Sequence, residues 1–93
     1  MAEPLRLLEQ MRRSKASWRL ADLHRLYIGF GFEWEEGARH RLYKHPRYPE
    51  LYATVTRSSG PLPIGYVANA VSLIDAVRKR EDQNGDRREQ PRG

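Results

Sequence analysis

The sequence contains no cysteine and no long apolar run. Without cysteine the chain forms no disulfide and offers no thiolate ligand to a metal ion. No apolar segment approaches the roughly 18 residues that indicate a membrane-spanning helix. The acidic start, Met1-Ala2-Glu3-Pro4, lacks the apolar core of a signal peptide. These absences argue against a disulfide-stabilised, membrane-embedded or exported protein, and we expect a cytoplasmic one.

The chain is basic, with 17 lysines and arginines against 12 acidic residues and a net charge of +5. Residues 81–93 hold three arginines and four acidic residues, so the positive excess lies in the first 80 residues. A basic domain favours a polyanionic partner, with RNA or DNA first. A solvated surface with an ordinary charge excess is the alternative, and composition alone does not distinguish the two.

Apolar periodicity predicts two helices in the first third of the chain. The first runs from Pro4 to Arg13, since proline suits a first helical position. Its apolar stripe consists of Leu5, Leu7, Leu8 and Met11. Ser17 is the predicted N-cap of the second helix, which runs from about Trp18 to Ile28. Gly29 and Gly31 follow and end it.

Three short strands and a third helix follow. The predicted strands are Phe32 to Glu35, Arg39 to His45 and Leu51 to Arg57, and their short turns favour antiparallel pairing. Pro63 opens a helix whose apolar positions recur at helical spacing. Beyond Arg80 the chain has no apolar residue to bury, so residues 81–93 are predicted to be a disordered tail.

The element order predicts an α+β fold. Residues 17–80 read as α-β-β-β-α, and a three-stranded antiparallel sheet with both helices on one face buries their apolar stripes together. This is the layout of a double-stranded-RNA-binding domain. An extra N-terminal helix and a connector, residues 1–16, precede it, and the tail of residues 81–93 follows.

The most informative segment is residues 37–47. It holds two histidines and four cationic side chains and no carboxylate; the cations are Arg39, Arg41, Lys44 and Arg47. Arginine and lysine bind phosphate oxygens, and histidine exchanges protons near neutral pH. Metal-free RNA cleavage needs this combination, although a plain RNA-binding strand would look similar. Tyr43 is a candidate for stacking on a base, with core packing as its alternative.

Four segments of the chain resemble the HicA family of bacterial toxins. They are Gly29 to Phe32, Gly37 to Pro46, Thr54 to Arg57 and the helix from Tyr66 to Asp75. The resemblance runs from about Leu20 to Val77. It implies the α-β-β-β-α fold, an endoribonuclease activity on mRNA, and neutralisation by an antitoxin called HicB.

The HicA resemblance also implies a catalytic residue. The family's signature is a Gly-Ser-His element that opens the second strand, with an aromatic residue three positions later and often a His-Pro beyond. His40, Tyr43, His45 and Pro46 match this register, which places the catalytic histidine on His40. Ala38 and Arg39 stand where the family has glycine and serine, with Gly37 one place earlier.

The remaining histidines have less specific interpretations. His40 and His45 supply too few ligands for a tetrahedral metal site, so we expect no metal and no cofactor. Alternation puts His45 on the opposite strand face from His40, which favours a structural role in the turn. His24, next to Leu23, is predicted to be a surface or boundary residue. Whether Tyr43 or Leu42 faces the helices stays open, and that choice decides whether His40 faces outward.

The sequence thus predicts an endoribonuclease that binds RNA and a HicB-like antitoxin. His40 takes the proton of a ribose 2′-hydroxyl or protonates the leaving 5′-oxygen, while Arg39, Arg41 or Lys44 stabilises the charge on the phosphate. Two alternatives remain open. One is a non-catalytic RNA-binding module, and the other is a protein-interaction domain whose basic face docks on an acidic partner.

Overall fold

The computed structural model describes the backbone of residues 2–89 and the side chains of residues 3–83. The elements in chain order are α1 (Ala2–Arg13), α2 (Leu20–Gly29), β1 (Glu33–Glu36), β2 (His40–Lys44), β3 (Tyr52–Thr56) and α3 (Ile64–Glu89). The strands form one antiparallel sheet with β2 in the middle. The predicted α+β class and α-α-β-β-β-α order are confirmed. None of the described helices is long and apolar enough to cross a bilayer.

The strand register settles which side of β2 faces the helices. Tyr43 pairs with Trp34 on β1 and Ala53 on β3, and it is fully buried. Val55 is buried on the same side. We call the other side the open face; it carries Glu33, Glu35, His40, Leu42, Lys44, Tyr52, Thr54 and Thr56. His40 therefore faces outward.

Helix α1 belongs to the same core as the rest of the fold. Its Leu7, Leu8 and Met11 are buried together with residues of α2, α3 and the sheet. At its start, Pro4 lies so close to Gly29 that a Cβ on Gly29 would come within 2.8 Å of the proline ring. Near its end, the Arg12 guanidinium donates two hydrogen bonds of 2.8 and 2.9 Å to the Asp75 carboxylate of α3. The N-terminal helix is therefore integral to the fold.

Helix α2 starts later than the sequence predicts. Arg19 is its N-cap, and the Asp22 carboxylate accepts a 2.9 Å hydrogen bond from the Arg19 backbone N–H. The predicted cap, Ser17, has a φ of 71° and lies outside the helix. A carboxylate three residues inside a helix can accept a hydrogen bond from the cap N–H. This contact explains why the helix starts at Leu20 and not at the predicted Trp18. At the other end Gly31 adopts a φ of 92°, as predicted for a glycine that ends a helix.

Helix α3 runs further than the sequence predicts. It continues to Glu89, so the prediction of disorder is wrong for residues 81–89; residues 90–93 lie outside the described part of the chain. Apolar periodicity does not register polar contacts. The Glu81 carboxylate joins this part of α3 to the turn after β2, accepting hydrogen bonds of 2.8 Å from Arg47 and 3.1 Å from the Tyr48 hydroxyl.

The packing of α1 predicts unequal effects for one substitution at two positions. Leu8 is fully buried and Leu5 is 44% exposed. We expect Leu8→Ala to lower the free energy of unfolding by about 2–5 kcal/mol, because it leaves a cavity in the core. Leu5→Ala should cost roughly 0.5 kcal/mol. Urea denaturation measures both values, and equal costs would show that α1 is not part of the cooperative core.

Candidate functional site

His40 lies at the first position of β2, on the open face, and its side chain is exposed. The turn between β1 and β2 holds its backbone, since the Gly37 N–H donates a 2.8 Å hydrogen bond to the His40 carbonyl. A Cβ on Gly37 would lie 2.8 Å from the same oxygen, so this turn needs glycine. Within residues 3–83 the imidazole makes no hydrogen bond or ion pair and is free to meet a ligand.

Three arginines lie around the end of the sheet where His40 stands, and we call this region the basic end: Arg19, Arg39 and Arg57. The Arg57 N–H donates to the Arg39 carbonyl at 2.9 Å. The Arg57 guanidinium donates to the carbonyls of Gly37 and Ala38 at 2.8 and 3.1 Å, and it forms an ion pair with Glu36 at 2.8 Å. Arg19 joins them through a 2.9 Å hydrogen bond to the Ser59 carbonyl.

Two members of the basic end, Arg19 and Arg57, were not among the predicted site residues. Arg19 precedes α2 and Arg57 follows β3, so only folding brings Arg57 to the β1–β2 turn and Arg19 to the loop after β3. One signal for Arg57 was present, because it closes a segment that carries the HicA resemblance. Arg39, one of the predicted phosphate ligands, is exposed.

Two other predicted phosphate ligands lie away from His40. Lys44 is at the opposite end of β2, and four residue steps along a strand span about 13 Å. It is exposed on the open face, opposite Glu33. Arg47 lies in the following turn and forms an ion pair with Glu81 at 2.8 Å. The predicted cationic cluster is therefore divided between the two ends of the strand.

Arg41 lies on the helix side of the sheet, and the prediction that it binds phosphate beside His40 is corrected here. Its Nε donates a 2.6 Å hydrogen bond to Glu36. Its guanidinium lies 4.6 Å from the centre of the Trp34 ring, a cation–π contact. The hydrogen bond to Glu36, followed by the hydrogen bond to the Tyr43 hydroxyl, raises the pKa of Arg41. The Arg41 guanidinium is therefore ion-paired within the molecule, on the opposite face of the sheet from His40.

Tyr43 is buried, and the predicted base-stacking role is corrected in favour of core packing. Its ring stacks on that of Tyr27 with centroids 4.5 Å apart, and no part of it is exposed. Its hydroxyl lies 2.8 Å from Nδ1 of His24. Burial raises the pKa of Tyr43, and Arg41 opposes that shift. A base has no access to this ring.

His24 completes a polar cluster with Tyr43 and Arg41 that the sequence did not reveal. The Nδ1 atom of His24 lies 3.3 Å from Arg41 Nη1 as well as next to the Tyr43 hydroxyl. A guanidinium has only donors, so Nδ1 accepts and we assign the ring proton to Nε2. Burial and the Arg41 charge lower the pKa of His24. Half-buried on α2, it is the boundary residue that the sequence predicts.

His45 is a structural histidine, as the sequence predicts. It is 5% exposed, and its Nδ1 accepts a 3.1 Å hydrogen bond from the Arg47 backbone N–H. Its ring contacts Phe32 and Tyr48 at centroid distances of 5.1 and 4.9 Å. Burial lowers its pKa. His45 thus fixes the end of β2 from inside the core.

Comparison with known proteins gives no match: no family model, curated protein or solved structure corresponds to this chain. Within the described side chains, no three histidine, aspartate or glutamate residues group as metal ligands. The chemistry of the site therefore rests on its own geometry: an exposed imidazole, without a hydrogen bond or ion pair within residues 3–83, at the end of the sheet that also carries Arg39 and Arg57.

The environments of His24 and His45 predict a loss of stability in acid. Both pKa values are lowered in the folded state, so the unfolded chain binds protons first as the pH falls below about 6.5. Stability should be full above that value and decrease below it. NMR titration of the two imidazoles should give pKa values below 6.5.

A variant separates the contribution of His24. In His24→Gln the loss of stability between about pH 7.5 and 5.5 should be smaller than in the wild type, because one proton-binding group is removed. Thr54→Ala, on the open face, is the matched control and should keep the wild-type dependence. An unchanged pH dependence in His24→Gln would contradict the assigned role of its burial.

Proposed function

We propose that this chain is a HicA-type mRNA interferase, an endoribonuclease that uses no metal ion and is neutralised by a HicB-like antitoxin in the cytoplasm. The observation that carries the proposal is the exposed imidazole of His40, which follows exposed Arg39 and makes no hydrogen bond or ion pair within residues 3–83. The order from α2 to α3, with three antiparallel strands between them, supports a fold like that of a double-stranded-RNA-binding domain.

The proposed reaction is a transesterification within the RNA. His40 takes the proton of a ribose 2′-hydroxyl, and the resulting oxygen attacks the adjacent phosphorus. The bond from phosphorus to the 5′-oxygen breaks, and that oxygen receives a proton from water. The products are a 2′,3′-cyclic phosphate and a free 5′-hydroxyl.

The arginines supply the electrostatic part of this reaction. Arg39 is exposed and directly precedes His40, so it is the phosphate ligand of this proposal. Arg57 orders the β1–β2 turn through the carbonyls of Gly37 and Ala38 and pairs with Glu36, and Arg19 adds positive charge at the loop after β3. Arg39 stands in the position of the family's serine. Its guanidinium adds a charge-assisted phosphate ligand next to the catalytic histidine.

One observation favours a second candidate, a non-catalytic RNA-binding module. His24 and His45 are held by internal hydrogen bonds, so neither is placed to act as a second proton-transfer group. A protein that kept the basic end but lost efficient chemistry would bind RNA without cleaving it. The two candidates differ in what the loss of His40 does to cleavage.

We expect His40→Ala to reduce cleavage of a fluorogenic oligoribonucleotide, in the presence of EDTA, by about 10²–10⁴-fold. Added imidazole should restore part of the rate, because it replaces the missing base. Thr54→Ala, on the same face, is the control and should cleave normally. Wild-type cleavage by a folded His40→Ala variant would falsify the mechanism, and RNA binding without cleavage by the wild type would favour the second candidate.

RNA binding should depend on salt through the basic end. Each phosphate contact contributes about −0.7 to the slope of log K against log salt for a single strand. Arg39→Gln should therefore make the slope less steep by about 0.7. Arg47→Gln is the matched control, because Arg47 pairs with Glu81 at the other end of the strand. Equal slopes for wild type and Arg39→Gln would place the RNA elsewhere.

A further inference from the structure

Strand β3 has a neighbour on one side only, because the sheet order is β1-β2-β3. Hydrogen bonds from Arg57 to Arg39 and from His45 to Leu51 show which residues point toward β2. By alternation, the backbone groups of Tyr52, Thr54 and Thr56 point away from β2. Within residues 2–89 these groups make no hydrogen bond. The edge of β3 is thus a row of unpaired donors and acceptors.

The two edges of the sheet differ in their protection. Strand β1 reads Glu33-Trp34-Glu35-Glu36, and its carboxylates oppose pairing with another strand. Strand β3 reads Tyr52-Ala53-Thr54-Val55-Thr56, without a charge, a proline or a glycine. It has none of the sequence features that usually prevent edge pairing. Its β-branched and aromatic residues favour strand pairing.

A groove of about 500 Å³ runs beside β3, between the strand and the start of α3. Tyr52, Pro63 and Tyr66 line it, together with Thr54. Tyr52 in the groove is 58% exposed, and Ile64, between the lining residues Pro63 and Gly65 in the chain, is 61% exposed. A chain that pairs with β3 would therefore also cover exposed apolar surface.

We propose that β3 pairs with β3 of a second copy of this chain, antiparallel, with the two-fold axis at Thr54. In this register Thr54 lies opposite Thr54 of the second copy, and Tyr52 lies opposite Thr56 of the second copy. All the facing residues have outward backbone groups, so each N–H meets a carbonyl. The edge is complementary to itself.

Charge favours the same occupant. Arg57 would lie opposite Leu51 of the second copy, with Glu50 of the second copy as the next residue along. No like charges face each other in this register. The corresponding pairing of β1 with itself, with the two-fold axis at the outward-pointing Trp34, would put Glu33 opposite Glu35 of the second copy, and like charges directly opposite are destabilising. Self-association is therefore specific to the β3 edge.

The resulting dimer would have a continuous sheet made from both copies, with both open faces on one side. His40 of each copy would lie on that shared surface. Dimer formation depends only on the β3 edge, the groove beside it and the charges of the flanking residues. It does not depend on ribonuclease activity.

The first test is sedimentation equilibrium of the full chain at concentrations up to about 1 mM. We expect the wild type and Thr54→Val to form dimers. Thr54→Lys and Thr54→Glu should each be monomeric, because the two-fold axis brings like charges together. An equimolar mixture of these two variants should dimerise again. Circular dichroism checks that each variant is folded.

The second test needs no substitution. The amide protons of Tyr52, Thr54 and Thr56 should exchange with solvent more slowly as protein concentration rises. Those of Ala53 and Val55, which face β2, are the internal control and should not change. A monomeric wild type, a dimer that Thr54→Lys leaves intact, or concentration-independent exchange of the outward amides would each overturn the proposal.

Discussion

The burial of Tyr43 determines how the rest of the site is presented. Its ring stacks on Tyr27, and its hydroxyl bonds to His24, so the middle strand has one orientation against the helices. Because side chains alternate along a strand, this orientation sends His40 and Lys44 to the solvent side. A slip of one residue would exchange the two faces and turn His40 inward. A core contact thus controls the exposure of the proposed catalytic group.

The order of elements could be predicted from periodicity, whereas the orientation of β2 could not. Leu42 and Tyr43 are adjacent and both apolar, so the pattern permits either to face the core. Only tertiary partners on α2 decide between them. The errors at helix ends have a similar origin: the start of α2 and the extent of α3 depend on polar contacts of Asp22 and Glu81, which apolar periodicity does not register.

The candidate site could be predicted in part. The sequence identified His40 and Arg39 but left the orientation of His40 open, and in the structure both are exposed where a tight turn enters the middle strand. Arg41 carries the same charge in the sequence, but in the fold a carboxylate and an indole take up its guanidinium. Arg19 and Arg57 are distant from His40 in sequence and reach the site through loop contacts. The sequence shows how many cationic side chains the segment has, but it does not show which of them are ion-paired within the fold.

Glu36 is the shared partner of two arginines: its carboxylate lies 2.6 Å from Arg41 Nε and 2.8 Å from Arg57 Nε. The hydrogen bond from Arg41, followed by the charges of both arginines, lowers the pKa of this carboxyl group. A neutral side chain at this position would release two guanidinium groups at once. The surface would attract any polyanion more strongly, while the end of β1 would lose its ion pairs to Arg41 and Arg57. Glu36 therefore weakens the attraction of the surface for polyanions and at the same time holds the side chains of Arg41 and Arg57 in place. Removing its charge would strengthen the first and weaken the second.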